Sequence, residues 1–151
     1  MAEALGIAAS VIAVIQMTDR IASICKYYIE STQDYPSELR VILLEITMLK
    51  TLFQNLQFLR HANTMSKTMS SLAGQYGPIE GCKKSISALE ALFPTELTKK
   101  HNPYGPKKKE KWKAMRAALV WPQKEKRANK LLEDIGRYKA TISLVLTTDS
   151  S

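Results

Sequence analysis

A chain of 151 residues, 45% apolar and 24% charged, fits one soluble domain with a single hydrophobic core. Its six glycines and six prolines fall mostly between periodic segments, which excludes a low-complexity chain. Two cysteines make no disulfide framework, and two histidines offer no ligand spacing for zinc.

Residues 2–30 read as a long helix. From Val14 onward the apolar stripe is Val14, Met17, Ile21, Ile24 and Tyr28, with Gln16, Asp19, Arg20, Ser23 and Lys26 between them. The first half differs: residues 4–18 contain no charge, and Leu5, Ile7, Val11, Ile12 and Ile15 point all round a helix. A break follows at Asp34-Tyr35-Pro36-Ser37, because proline disfavours helical geometry in the residue before it.

A second helix is expected over 37–60. Leu39, Ile42, Ile46, Leu49, Phe53 and Leu56 form one stripe, and Val41, Leu44, Met48 and Leu52 a second. So wide an apolar surface predicts a helix central to a bundle. Residues 61–77 carry weaker signals, with a short helix expected over 66–72. Gly77-Pro78 is a helix start, followed by Ile79, Cys82, Ile86, Leu89 and Phe93, with a stop at Pro94.

After a loop containing Asn102-Pro103-Tyr104-Gly105-Pro106, a fourth helix is expected over 107–120 with Trp112, Met115 and Leu119 on its apolar side. Trp121-Pro122 interrupts it. A fifth runs from about 122 to 146 with the stripe Leu131, Ile135, Tyr138, Ile142 and Val145. Residues 147–151 read as a polar, frayed tail where a linker to a further domain could begin. The expected fold is therefore all-α: one domain over 1–146, a bundle of about five helices joined by short loops, with a long N-terminal helix.

Cys25 and Cys82 both sit within apolar periodicity and read as reduced core thiols of a cytosolic protein, although one disulfide stays open. The first fifteen residues carry only the acid Glu3 and lack a basic leader, so no secretory signal is expected. Ala2 in place of glycine removes the usual myristoylation signal.

The net charge of +8 is local. Residues 99–130 hold twelve basic residues against Glu110 and Glu125, a balance of +10, which leaves −2 for the remainder. Within that run, Lys107, Lys108, Lys109, Lys111, Lys113, Arg116, Lys124, Lys126 and Arg127 are candidates for contact with anionic lipid. Each basic residue near such a surface contributes about 1 kcal/mol. A merely solvated charge run is the plain alternative. Phosphate contacts with nucleic acid are the least favoured reading, since Trp112 and Trp121 are the only clear aromatic candidates.

The uncharged N-terminus has two readings as well. Fifteen residues of helix rise about 22 Å, short of the roughly 30 Å hydrocarbon core of a bilayer. An ordinary buried core helix is one reading. A terminal segment that leaves the fold is the other, since it drags no second connection. Gly6 and Ser10, and Ala9 and Ala13, recur four apart, a spacing that permits close helix approach in lipid.

The opening run, Met1 through Gln16, resembles that of fungal HeLo-like domains, the N-terminal domains of fungal NOD-like (STAND) receptors and related cell-death proteins. Pro36-Ser37-Glu38-Leu39-Arg40, Cys82 with the leucine-type spacing after it, and Leu119-Val120-Trp121-Pro122 before Lys124-Glu125-Lys126 extend the resemblance over most of the chain. The resemblance implies a helical bundle related to the HeLo domain. It implies a cell-death executioner that oligomerises under an upstream NOD-like receptor or amyloid signal, then permeabilises the plasma membrane with its N-terminal helix.

Carried onto this chain, the inserting segment is Ala4, Leu5, Gly6, Ile7, Ala8, Ala9, Ser10, Val11, Ile12, Ala13, Val14 and Ile15. The implied location is cytoplasmic at rest and the plasma membrane when activated. The chain departs from the family pattern in lacking a Gly/Asn-rich amyloid motif and a nucleotide-binding domain.

Catalysis is not expected. No Gly-rich phosphate loop and no nucleophile with a base are present, and Glu133-Asp134 is an ordinary helix-surface pair. No cofactor is expected either. The competing functional class is a protein–protein adaptor whose apolar helix face never enters lipid. A cytokine-like four-helix ligand is disfavoured by the missing signal peptide.

Overall fold

Four α-helices account for nearly all of the described chain: α1 (Ala2–Ser31), α2 (Glu38–His61), α3 (Pro78–Glu90) and α4 (Trp121–Ser150). The structure is a computed structural model that describes residues 2–31, 37–61, 72, 74, 76–93 and 121–150. The all-α expectation with a long N-terminal helix is met, with four helices among the described residues rather than about five. The helix expected over 107–120 lies outside them, as does all but Leu72 of the one expected over 66–72.

The main helix pairings are α1–α2, α1–α3, α3–α4 and α2–α4, so the bundle closes in the ring order α1–α2–α4–α3. Cross-helix pairs give the directions. Ser10 meets Glu80 and Arg20 meets Glu90, both offset by 70 residues, so α1 and α3 run parallel. Asp19 meets Lys50, each twelve residues from the short connection at 32–37, so α1 and α2 are antiparallel. Gly81 faces Tyr138 while Lys124 reaches Leu92, which makes α3 and α4 antiparallel. Glu38 faces Glu125 and Glu45 pairs with Lys139, so α2 and α4 run parallel.

The core is the set of stripes read from the sequence. Val14, Met17, Ile21, Ile24 and Tyr28 of α1 are buried, as are Leu39, Ile42, Ile46, Leu49, Phe53 and Leu56 of α2. Ile79, Cys82, Ile86, Leu89 and Phe93 close one side, and Leu131, Ile135 and Ile142 of α4 the other, with Tyr138 and Val145 half-buried at its edges. Spacings of three and four residues keep each set on one helix face, and burying those faces together is the main source of stability.

Local signals fix the ends of α3. Gly74 takes φ +112, a conformation that favours glycine, and its carbonyl accepts from Gly77 N–H at 3.1 Å. Gly77 then caps α3 in extended geometry with Pro78 in the first turn. The helix ends in a tightened turn, with Leu92 N–H donating to Leu89 O and Phe93 N–H to Glu90 O, both at 3.1 Å.

Two expectations are corrected. The second stripe of α2 does not make that helix central: Val41, Leu44 and Met48 are exposed and Leu52 is half-buried. A helix at one corner of a four-helix ring has an outer side, and these residues occupy it. The helix expected from about 122 is α4, which carries Pro122 in its first turn, where proline removes no intrahelical hydrogen bond. Residues 147–150 are helical, not a frayed tail.

Candidate functional site

The sequence singles out the first half of α1. From Gly6 to Thr18 this helix carries no charged side chain, and one narrow face of it joins the core. Val11 is 1% exposed and Val14 fully buried, whereas Ile12 is 41% exposed. Gly6 and Ala9 face solvent, and Ile7, Ala8, Ala13 and Ile15 lie at the edges. Ala4 and Leu5 belong to the same helix, though their side chains lie outside the described ones. A Cβ on Gly6 would meet nothing within 4 Å, so no neighbour crosses closely at Gly6 in this bundle.

Polar ties along α1 are unevenly placed. In the charge-free half the cross-helix tie is Ser10 Oγ, which donates to Glu80 Oε1 at 2.9 Å. Thr18 is buried but satisfies its hydroxyl on the Ile15 carbonyl at 2.7 Å, within the helix. Among the described residues the ion pairs of α1 begin at residue 19. Lys50 Nζ lies 2.5 Å from Asp19 Oδ1, and Arg20 forks onto Glu90 with Nε–Oε1 at 3.1 Å and Nη2–Oε2 at 3.2 Å. A bidentate guanidinium–carboxylate pair is more directional than a single contact. The second half of α1 is therefore pinned by charge, and the first half is held by apolar packing and one serine.

Because α1 is unbroken, length no longer limits it. Gly6–Glu30 spans 25 residues at mean hydropathy 1.5, long and apolar enough by those measures to cross a bilayer. A core helix meets the same description, and 39% of its most apolar window is buried. The span also carries Asp19, Arg20, Lys26 and Glu30, so the charge-free half remains its apolar part.

Of the candidate basic residues, the described ones, Lys124, Lys126 and Arg127, are not brought beside that half. Lys107, Lys108, Lys109, Lys111, Lys113 and Arg116 lie outside the described residues. Lys126 and Arg127 are exposed in the first turns of α4, at the end of the bundle where α1 finishes. Twelve residues of α4 separate Lys126 from Tyr138, the level of Gly81 and thus of the charge-free half, about 18 Å along the axis. Lys124 is half-buried and committed elsewhere: its ammonium donates to the Leu92 carbonyl at 2.6 Å, closing the end of α3.

At that same end Glu125 faces Glu38 across the α2–α4 seam. Their shared hydrogen bond and mutual repulsion raise the Glu125 carboxyl above the ordinary glutamate range, with a small further contribution from burial. Cys25 and Cys82 are free, buried thiols, and burial pushes both up to about 12. Among the described residues no group of three or more His, Cys, Asp and Glu side chains converges on a point where a metal could sit.

Sequence reasoning did not find Glu80 and Glu90 as the anchors of α1, since a 70-residue offset between parallel helices leaves no local pattern. No protein-family model, curated protein or solved structure matches this chain.

Proposed function

We propose that this domain is a membrane-permeabilising effector of the cell-death type, with copies gathered by an upstream signal and the charge-free half of α1 delivered into an anionic bilayer. The observation that carries the reading is the placement of polar ties on α1. Among the described residues, one Ser–Glu hydrogen bond ties the stretch from Gly6 to Thr18 to its neighbours, while the ion pairs of Asp19 and Arg20 lie beyond it. Apolar surface uncovered on leaving the bundle is covered again in hydrocarbon, whereas a charge would find no such compensation there.

Lys126 and Arg127 supply attraction to an anionic surface. With attraction from these two residues, the charge-free half reaches the bilayer by swinging out of the bundle rather than by inserting in place. The resemblance to HeLo-like domains points the same way.

Dye release from anionic vesicles tests the reading. Ile12 is 41% exposed, so Ile12→Glu leaves the core untouched while placing a charge in the middle of the apolar half. The chain clustered by a fused dimeriser releases dye, and Ile12→Glu reduces release at least about tenfold, because a glutamate in hydrocarbon costs a few kcal/mol. Equal release by both proteins would overturn the proposal.

A second reading has its own support. The exposed Val41, Leu44 and Met48 of α2 suit a protein contact. An adaptor that never enters lipid predicts that neither protein binds vesicles.

A further inference from the structure

The outer side of α2 repeats with a heptad period. Val41, Leu44, Met48, Thr51, Asn55 and Phe58 follow at steps of 3, 4, 3, 4 and 3, the a and d positions of a coiled-coil seam, and all six are exposed. Exposure reaches 61% at Leu44 and 72% at Phe58. The inward stripe of the same helix is fully occupied by the core, so α2 is two-sided.

No charged residue falls in the outer seam over its 18 residues, although an exposed helix face is ordinarily charged. Thr51 donates its hydroxyl hydrogen to the Thr47 carbonyl at 3.1 Å, which removes a polar demand from the seam.

We infer that this seam is a self-association surface on which α2 of a second copy packs parallel and in register. Its composition selects that occupant. In a parallel pair each layer meets itself: valine on valine and leucine on leucine in the first heptad, with asparagine facing asparagine further along. Val at a with Leu at d favours two strands, and a lone Asn at an a position sets a register by hydrogen-bonding its counterpart.

An antiparallel pair would place Leu44 against Asn55 and Met48 against Thr51, leaving the amide without a polar partner. The flanks agree in sign, since Arg40 at g and Glu45 at e bring opposite charges together across a parallel seam. Glu45 meanwhile keeps its pair with Lys139 at 2.8 Å.

The seam is small. Seventeen rises of helix by one helix width give on the order of 300 Å² per copy, well below the roughly 800 Å² per partner of a standard stable interface. Free chains therefore associate weakly, and gathering them to a local concentration near millimolar populates the pair. This deepens the proposed function by naming what the gathered copies do to one another, and it rests on that reading only for its purpose.

Cysteine cross-linking of the 151-residue chain in solution, without lipid, tests it. Leu44→Cys and Asn55→Cys proteins are oxidised separately and mixed at high protein concentration. Buried Cys25 and Cys82 stay silent. The parallel seam predicts disulfide dimers in each protein alone, and about a tenfold loss of concentration-dependent dimer in sedimentation when Leu44→Glu is placed in the otherwise native chain. The helical signal of Leu44→Glu stays native because Leu44 lies outside the core.

Cross-links in the mixture alone would reveal an antiparallel pair, and no dimer under any condition would show that the seam has another occupant or none. Either result overturns the inference. Dye release persisting alongside such a failure would spare the membrane reading and sink only this surface.

Discussion

Ser10 Oγ donates to Glu80 Oε1 at 2.9 Å, joining the charge-free half of α1 to the parallel helix α3. Glu80 is half-buried, and its nearby cation among the described residues is Lys83, at 3.9 Å on its own helix. The bond thus couples an otherwise apolar helix to a charged acceptor, and hydrogen bonds of that kind are stronger than neutral ones.

Replacing Ser10 by alanine removes the tie without a large cavity. A loss of about 1 to 2 kcal/mol is expected in denaturant unfolding. Amide exchange in residues 7–14 should speed up before exchange at the centre of α4, since the apolar half of α1 then opens locally.

Gly81 and Gly136 predict opposite outcomes for the same substitution. A Cβ on Gly81 would overlap the Tyr138 ring, whereas one on Gly136 meets nothing within 4 Å. Gly81→Ala is expected to cost about 1 to 3 kcal/mol by overpacking the α3–α4 contact. Gly136→Ala should gain up to about 1 kcal/mol from helix propensity. Thermal unfolding of both variants, and of Gly81→Ala with Tyr138→Ala, checks the assignment, because shortening residue 138 makes room for the added methyl.

Glu125 and Glu38 give a pH dependence of definite sign. The folded Glu125 carboxyl titrates above its unfolded value, so in the window from the ordinary glutamate range up to that raised value the folded state binds more protons. Stability contributed by this pair therefore falls as pH rises through the window. Glu125→Gln should be more stable than the parent at neutral pH, with the advantage shrinking as the solution is acidified. Urea unfolding of both proteins at several pH values reads this directly.

Cys25 on α1 and Cys82 on α3 are buried thiols held up to about 12. A disulfide-exchange reagent at pH 8 should leave both unmodified in the native chain for as long as the bundle is closed. Clustering the chain on anionic vesicles should expose Cys82, which lies at the level of the charge-free half of α1, before Cys25 in the ion-paired half. Labelling read by mass spectrometry, with and without vesicles, distinguishes the two states.

Much of the fold was legible because burial follows helical period. The stripes from Val14 to Tyr28, from Leu39 to Leu56 and from Ile79 to Phe93 are buried as their spacing implies. Periodicity reports that a face is apolar but not what covers it, which is why Val41, Leu44 and Met48 read as core and are exposed. Lys124 read as one more charge in a basic run, because the Leu92 carbonyl that receives it lies 32 residues earlier. Pro122 read as the start of the last helix, because the first turn of a helix accepts proline. In the candidate site the charge-free half of α1 was visible in composition, while its anchors depended on parallel packing against α3.

The proposed permeabilisation requires the first half of α1 to separate from α3. Ser10→Cys and Glu80→Cys in one chain, joined by a short thiol cross-linker, hold the two helices together at the residues that already touch. Clustered on anionic vesicles, the cross-linked protein should release no dye, and cleaving a reducible linker should restore release. Equal release before and after cleavage would show that the two helices need not part.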